Sequence, residues 1–148
     1  FGFVSAQEQW CIWIVEAHPD FEILGADCRD KRAVTFSSRR YRWDLVIRHV
    51  PSGKIIALEV DGEHHFLWKN GGWVDANRRD LDKMRVYPSH PPSCASHIDI
   101  VARISYHNRR NMDSVTALLD LVSTTDCGFV CLPQDKSMYT DGGVPVCN

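Results

Sequence analysis

Alternation of apolar and polar residues in the middle of the chain predicts two β-strands joined by a turn. Successive side chains point to opposite faces along the first strand, Tyr41 to His49, and along the second, Ile56 to Asp61. One face of each strand is therefore apolar, and the other carries the charged residues Arg42, Asp44, Arg48, Glu59 and Asp61. Between the strands, Pro51 and Gly53 suit the second and fourth positions of a β-turn. We expect an antiparallel hairpin whose apolar face is turned to the core.

The length of the turn decides which residues of the hairpin lie opposite each other. If only Pro51 and Ser52 form the loop, Asp44 lies directly opposite Glu59. If Gly53 forms a bulge, the register moves by one residue and Asp44 pairs with Val60 instead. Opposed carboxylates destabilise a sheet unless a cation or a proton lies between them, so the first register implies such a partner. The sequence is compatible with both registers.

Helical and extended patterns flank the hairpin. A capping box at residues 5–8 predicts a helix over Ser5–Ala17, and we expect its spaced apolar residues to be buried, namely Trp10, Trp13, Ile14 and Ala17. Strands are predicted over Phe21–Leu24 and Ile98–Tyr106. A last helix begins at Asp113 and carries an apolar stripe of Val115, Leu118, Leu119 and Val122.

The remaining segments have weaker patterns. We predict a loop over Leu67–Trp73 and a solvated basic helix over Asp75–Tyr87, followed by a proline-rich loop. Beyond Ser123 the periodicity dissolves. The chain is therefore interpreted as one domain over residues 1–123, followed by an irregular C-terminal tail over residues 124–148.

The composition agrees with a globular domain that holds a hydrophobic core. The 148 residues are 44% hydrophobic and 24% charged, and no apolar run approaches the roughly 18 residues of a membrane-spanning helix. We therefore expect no membrane partner. The net charge of −2 gives no global sign of nucleic-acid binding, although carboxylates gathered at a site would mask local basic patches. A first residue other than Met points either to an excised domain, with neighbouring domains in a longer chain, or to a processed product.

The six cysteines do not follow the spacing of a disulfide scaffold. Cys94 and His97 combined with Cys127 and Cys131 are a candidate zinc set, but the two halves are far apart and contain no pair spaced Cys-x-x-Cys. We expect reduced thiols.

Acidic residues and histidines meet where the second hairpin strand ends. Glu59 and Asp61 share a face, and Gly62 then releases the chain into a segment with His64 and His65. Carboxylate oxygens bind hard divalent cations, and an imidazole titrates near neutral pH, so this strand end suits a metal site. The alternative is a solvated sheet edge whose charged side chains bind nothing.

Four short motifs follow one another along most of the chain. They are Ser5-x-x-Glu8, Trp43-Asp44, Glu59-x-Asp61-Gly62-x-x-His65-Phe66 and Arg79-Asp80-x-x-Lys83. With these motifs the chain resembles the PD-(D/E)xK nuclease superfamily, and within it the very-short-patch-repair and related homing-endonuclease branch. The likeness covers about Ser5 to Val122.

The resemblance implies an α/β fold with a restriction-endonuclease-like core, in which a central mixed sheet of about four strands is flanked by helices. It implies an endonuclease that hydrolyses phosphodiester bonds of nucleic acid, DNA being favoured over RNA, with Mg²⁺ as cofactor and Mn²⁺ able to replace it. The implied metal ligands are Asp44, Glu59 and Glu8. The implied catalytic residues are Glu8, Asp44, Glu59, Asp61, His65 and Lys83, and the implied nucleic-acid contacts are Arg40, Arg78, Arg79 and Lys83.

The chain departs from the family pattern at two positions. Trp43 stands where a proline is expected before Asp44, and Asp61 replaces the lysine expected two residues after Glu59. In the branch named above an acid at that position accompanies a histidine, so His65 is the candidate for proton transfer. Two other functions remain open. One is a nucleic-acid-binding module, for RNA, that keeps the fold without catalysis, and the other is a protein-interaction domain anchored by its tryptophans.

Overall fold

A computed structural model of the chain describes residues 6–26, 43–60, 66–69, 72–76, 95, 97–104 and 112–132. In chain order the elements are α1 (Ala6–Ala17), β1 (Phe21–Ala26), β2 (Leu45–His49), β3 (Lys54–Val60), β4 (Phe66–Lys69), β5 (Gly72–Ala76), β6 (Ile100–Ile104), α2 (Met112–Ser123) and β7 (Gly128–Leu132). The predicted first and last helices, the hairpin and the two flanking strands are therefore present. No described helix is long and apolar enough to cross a membrane.

Five of the strands form one mixed sheet in the order β1-β2-β3-β6-β7. β1, β2 and β3 are antiparallel neighbours, while β6 runs parallel to β3 and β7 runs parallel to β6. The α/β class is thus confirmed, with five strands instead of the predicted number of about four. The segment predicted as an irregular tail supplies β7. Residues 128–131 of β7 are all buried, and a strand enclosed on both faces shows no alternation in the sequence.

The predicted loop over Leu67–Trp73 is wrong, because this segment contributes to a second, two-stranded sheet. β4 and β5 pair antiparallel, with Trp68 opposite Trp73. Aromatic and β-branched residues favour strands, and the Asn-Gly dipeptide at residues 70 and 71 is a strong hairpin signal in the sequence. The predicted helix over Asp75–Tyr87 is also wrong at its start, because residues 75 and 76 belong to β5. The rest of that helix lies outside the described residues.

The main hydrophobic core lies between the five-stranded sheet and the two helices. Alternate strand residues supply one side of it, among them Leu45, Ile47, Ile56, Leu58, Val60, Ile100, Ala102 and Ile104. α2 supplies its predicted stripe of Val115, Leu118, Leu119 and Val122. We call this side of the sheet the helix face. The alternation in the hairpin therefore predicted the core-facing side chains correctly.

α1 packs on the core mainly through residues other than the predicted ones, of which only Ile14 is partly buried against the core. Cys11, Ile12 and Val15 are buried, whereas Trp10 is 40% exposed and Trp13 is 59% exposed. The helix is apolar around most of its circumference, so periodicity alone identifies no single inner side. Packing against the sheet and α2 decides the orientation, and it leaves both tryptophans at the surface.

The opposite side of the sheet, which we call the charged face, is also shielded from solvent. Its strand residues alternate with those of the core, and the buried ones include Val46, Ala57, Val101, Phe129 and Cys131. Two charged residues, Glu59 and Arg103, are buried among them. Near the sheet edge, the half-exposed side chains of Arg48 and Glu22 form an ion pair between β2 and β1.

The turn between β2 and β3 determines the register of the hairpin. Leu45 pairs with Leu58 and His49 pairs with Lys54, so residues 50–53 form the turn. Gly53 N–H donates to the His49 carbonyl (2.8 Å), and Gly53 has a φ of 74°. This left-handed conformation closes a turn of four residues. From His49 and Lys54 onwards, the strands pair as they would if only Pro51 and Ser52 formed the loop.

Gly53→Ala is expected to lower the free energy of unfolding by about 1–2 kcal/mol, because positive φ is sterically disfavoured for an L-residue with a Cβ. No atom lies within 4 Å of the position that this Cβ would take, so crowding adds nothing to the cost. Gly53→Asn should cost less, because asparagine adopts this conformation more readily. Urea denaturation of the three proteins measures the difference, and equal stability of the two variants would contradict the prediction.

Asp99 ties the start of β6 to both of its neighbouring strands. Its Oδ2 accepts a hydrogen bond from Ile55 N–H (2.9 Å), and its own N–H donates to the Ile55 carbonyl (2.8 Å). Its carbonyl accepts a hydrogen bond from Gly128 N–H (2.9 Å) at the start of β7. One residue therefore aligns β3, β6 and β7 at the same end of the sheet.

The described cysteines differ in one respect from the prediction of reduced thiols. Cys11 and Cys131 are free and buried, as expected. Cys127, in the connection between α2 and β7, is disulfide-bonded, so the prediction is wrong there. Scattered spacing in the sequence carries no information on which cysteines the fold brings together.

Candidate functional site

The hairpin register places Asp44 and Glu59 opposite each other where β2 begins and β3 ends. Leu45 and Leu58 are the outermost pair, and one step further along both chains come Asp44 and Glu59. The alternative register, with Asp44 opposite Val60, is excluded by this pairing. Directly opposed residues of an antiparallel pair have Cβ atoms about 5 Å apart. The fold therefore brings these two carboxylate-bearing residues to neighbouring positions.

Asp44 is held against the backbone of β3. Its Oδ2 accepts a hydrogen bond of 2.7 Å from Val60 N–H, the residue directly after Glu59. The bond fastens the chain just before β2 to the end of β3, and Asp44 is half-buried there. A carboxylate offers several lone-pair sites, so one N–H donor is compatible with a cation on the same group. The position of Asp44 is thus fixed by the sheet itself.

Glu59 lies beside Arg103 on the charged face. The two residues pair in the parallel register of β3 and β6, so their side chains leave the same face from strands about 4.8 Å apart. Glu59 is 2% exposed and Arg103 is 0% exposed. A guanidinium is always charged in proteins and is almost never fully buried without an anion. Arg103 therefore supplies positive charge next to the Glu59 carboxylate.

Charged positions thus extend from the residue just before β2 across β3 to β6, and we call them the Asp44–Glu59–Arg103 row. The sequence predicts only a cation or a proton that relieves the repulsion between the two acids, whereas the structure places Arg103 beside them. The signal was an arginine enclosed by apolar residues within a predicted strand, on the side opposite to Ile104. Besides a bound cation or a proton, the buried guanidinium of Arg103 is a further source of positive charge, and the protein itself supplies it.

Six of the other predicted site residues lie outside the part of the chain that the structure describes, namely Asp61, His65, Lys83, Arg40, Arg78 and Arg79. Glu8 belongs to α1, which packs on the helix face, whereas Glu59 belongs to the charged face, and the structure does not describe the Glu8 side chain. Across the described residues, no group of three or more His, Cys, Asp or Glu could hold a metal ion. The roles assigned to these residues stay predictions.

Similarity to known proteins adds no family to these observations. No family model, curated protein or solved structure matches the chain. The resemblance to the PD-(D/E)xK nucleases rests on the sequence motifs alone, and membership of that superfamily is a proposal.

Proposed function

We propose that the chain is a metal-dependent endonuclease that hydrolyses phosphodiester bonds in nucleic acid, with DNA favoured over RNA. The observation that carries the proposal is the hairpin register, in which Asp44 stands opposite Glu59. The motif resemblance assigns a metal to the same two residues. The strand order and the parallel pairing of β3 with β6 are compatible with a restriction-endonuclease-like core, which is part of the proposal.

The two carboxylates suit a hard divalent cation. Mg²⁺ is usually bound through one or two carboxylates, while water and substrate phosphate complete its coordination. Asp44 and Glu59 provide such a pair, and the Val60 N–H orients the first of them. When bound, the ion would supply charge neutralisation at the phosphoryl oxygens and an activated water. Mn²⁺ accepts the same oxygen ligands and should replace it.

Arg103 has a positioning role in this proposal. Two carboxylates on directly opposed residues of a sheet repel each other, and a neighbouring guanidinium stabilises the ionised form of both. Because Arg103 is fully buried, it acts on Glu59 and does not contact a substrate. The same positive charge also weakens the attraction for a cation. This favours, as a second candidate function, a nucleic-acid-binding module in which Arg103 neutralises Glu59 and no metal is held.

Cleavage assays with supercoiled plasmid and with single-stranded RNA, in Mg²⁺, Mn²⁺ or EDTA, test the proposal. We expect cleavage of the plasmid that depends on either metal. Cleavage that persists in EDTA would contradict the metal mechanism. Filter binding of the same nucleic acids provides the second readout, because binding that weakens steeply with salt and is not followed by cleavage would favour the non-catalytic module.

His65→Ala is expected to lower the cleavage rate on the order of a hundredfold with little loss of substrate binding. Asp61 stands in place of the family's lysine, so proton transfer needs another titratable group, and His65 follows the strand end closely. His64→Ala is the matched control and should cost much less. Single-turnover kinetics and thermal denaturation distinguish the roles, because a joint loss of activity and melting temperature would indicate that His65 only packs beside Phe66.

A further inference from the structure

Asp44 belongs to no strand, although it carries one of the two proposed ligand carboxylates. β2 begins at Leu45, whose partner in β3 is Leu58, so the pairing of the two strands stops one residue short of Asp44. Residues beyond the end of a ladder open more easily than those inside it. The half-buried carboxylate nevertheless accepts a 2.7 Å hydrogen bond from Val60 N–H. The sheet thus holds the carboxylate, while the backbone of Asp44 depends on the residues beside it.

The residue directly before Asp44 has the largest fully buried side chain in the part of the chain that the structure describes. Trp43 is 0% exposed, whereas Trp10 and Trp13 on α1 lie at the surface. Tryptophan is rarely enclosed completely, because of its size. Protein interiors are packed as densely as organic crystals, so an enclosed indole has little freedom and restricts the backbone that carries it. On the other side of Asp44, Leu45 is also buried.

We propose that Trp43 is a positioning residue that anchors Asp44 for metal binding. The buried indole fixes the backbone just before β2, and this backbone aims the Asp44 carboxylate at Val60 N–H and at the ion. Ligand groups must be held within about 0.5 Å of their working geometry, so loss of the anchor should be felt at Asp44. The role in metal binding rests on the proposed nuclease function, whereas the anchoring itself can be measured without metal.

Amide hydrogen exchange, followed by NMR on the full chain without metal, tests the anchor. Trp43→Phe keeps an aromatic ring but leaves a cavity, and it should speed exchange of the Val60 amide at least about tenfold, a change that a typical buried substitution produces. Ile55 is the internal reference, because its N–H donates to the Asp99 carboxylate (2.9 Å) at the other end of the same strand. Its exchange should change much less. Asp44→Ala removes the acceptor and sets the upper limit for Val60.

Ile47→Val separates anchoring from general stability. Ile47 is 0% exposed and lies within β2, so this substitution also leaves a cavity at a buried position close to Asp44 in the chain. It should not single out Val60. The proposal is wrong if exchange at Val60 is unchanged in Trp43→Phe, or if Val60 and Ile55 respond equally, because Trp43 would then only fill space. Circular dichroism checks that each variant is folded.

Cleavage kinetics test the role of the anchor in metal binding. Trp43→Phe should lower the rate of plasmid cleavage about tenfold and raise the Mg²⁺ concentration that gives half the maximal rate, since small misplacements of reacting groups are costly. Filter binding of the plasmid should not change, and Ile47→Val should cleave as the wild type does. Wild-type Mg²⁺ dependence in Trp43→Phe would contradict the role in metal binding. A wild-type chain that cleaves nothing would instead remove the proposed function, and exchange at Val60 would then decide the anchoring alone.

Discussion

Asp44→Asn is expected to reduce metal-dependent cleavage by at least about a hundredfold while the fold stays intact, because it removes charge where the transition state is stabilised electrostatically. The fold is preserved because the amide oxygen of asparagine can still accept the hydrogen bond from Val60 N–H. Asp44→Ala removes that acceptor too, and should lower the free energy of unfolding by about 1–3 kcal/mol in addition to abolishing cleavage.

Initial cleavage rates and urea denaturation, measured on the same preparations, test this pair of substitutions. Asp20→Asn is the control, because Asp20 is an exposed acid in the turn between α1 and β1. Wild-type cleavage by Asp44→Asn would remove Asp44 from the proposed site. A loss of cleavage by Asp20→Asn as large as that of Asp44→Asn would show that charge alone, and not position, matters.

Glu59→Leu is expected to destabilise the fold by about 3–5 kcal/mol, because it leaves the buried guanidinium of Arg103 without its neighbouring carboxylate. Replacing both residues, Glu59→Leu together with Arg103→Met, should restore most of that stability, since two apolar side chains of similar volume often replace a buried ion pair at little cost.

A double-mutant cycle in urea measures the coupling between the two residues. If the effects of Glu59→Leu and Arg103→Met simply add, Glu59 and Arg103 do not interact and the positioning role of Arg103 is wrong. A coupling between Glu59 and Arg103 is expected whether the chain is a nuclease or a non-catalytic binding module. Only the nuclease predicts that Glu59→Gln, a smaller change, also abolishes binding of Mg²⁺ measured by calorimetry.

The hairpin shows what the sequence determines and what it leaves open. Alternation identified which of its residues face the core, because one face of each strand is lined with aliphatic side chains. The register depended on the turn, because Gly53 is compatible with two conformations. It could form a bulge that shifts the register, or adopt the observed left-handed conformation that closes the turn without a shift. Glycine signals a special conformation without saying which one. The opposition of Asp44 and Glu59 was therefore one of two predictions, and the structure decides between them.

The errors have physical causes of their own. α1 carries apolar residues around most of its circumference, and the predicted side included both tryptophans, whereas the core holds Cys11, Ile12 and Val15 with Ile14 partly buried against it. β7 was missed because strands buried on both faces do not alternate. Arg103 was overlooked as a site residue because its neighbour Glu59 comes from a strand far away in sequence, and no local pattern reports a parallel pairing. In all three cases, contacts between segments that are far apart in the sequence decide the outcome.

The two hydrogen bonds between Asp99 and Ile55 also indicate the order in which the chain folds. These residues are 44 apart in sequence, whereas β2 and β3 are joined by a tight turn. Closing the longer loop costs more conformational entropy, so β6 should join a hairpin that has already formed. Until then, the β3 edge that will pair with β6 remains open along residues 55–60, which are all apolar except Glu59. An unpaired apolar edge is a template for pairing with another chain, so aggregation should compete with folding mainly before β6 docks.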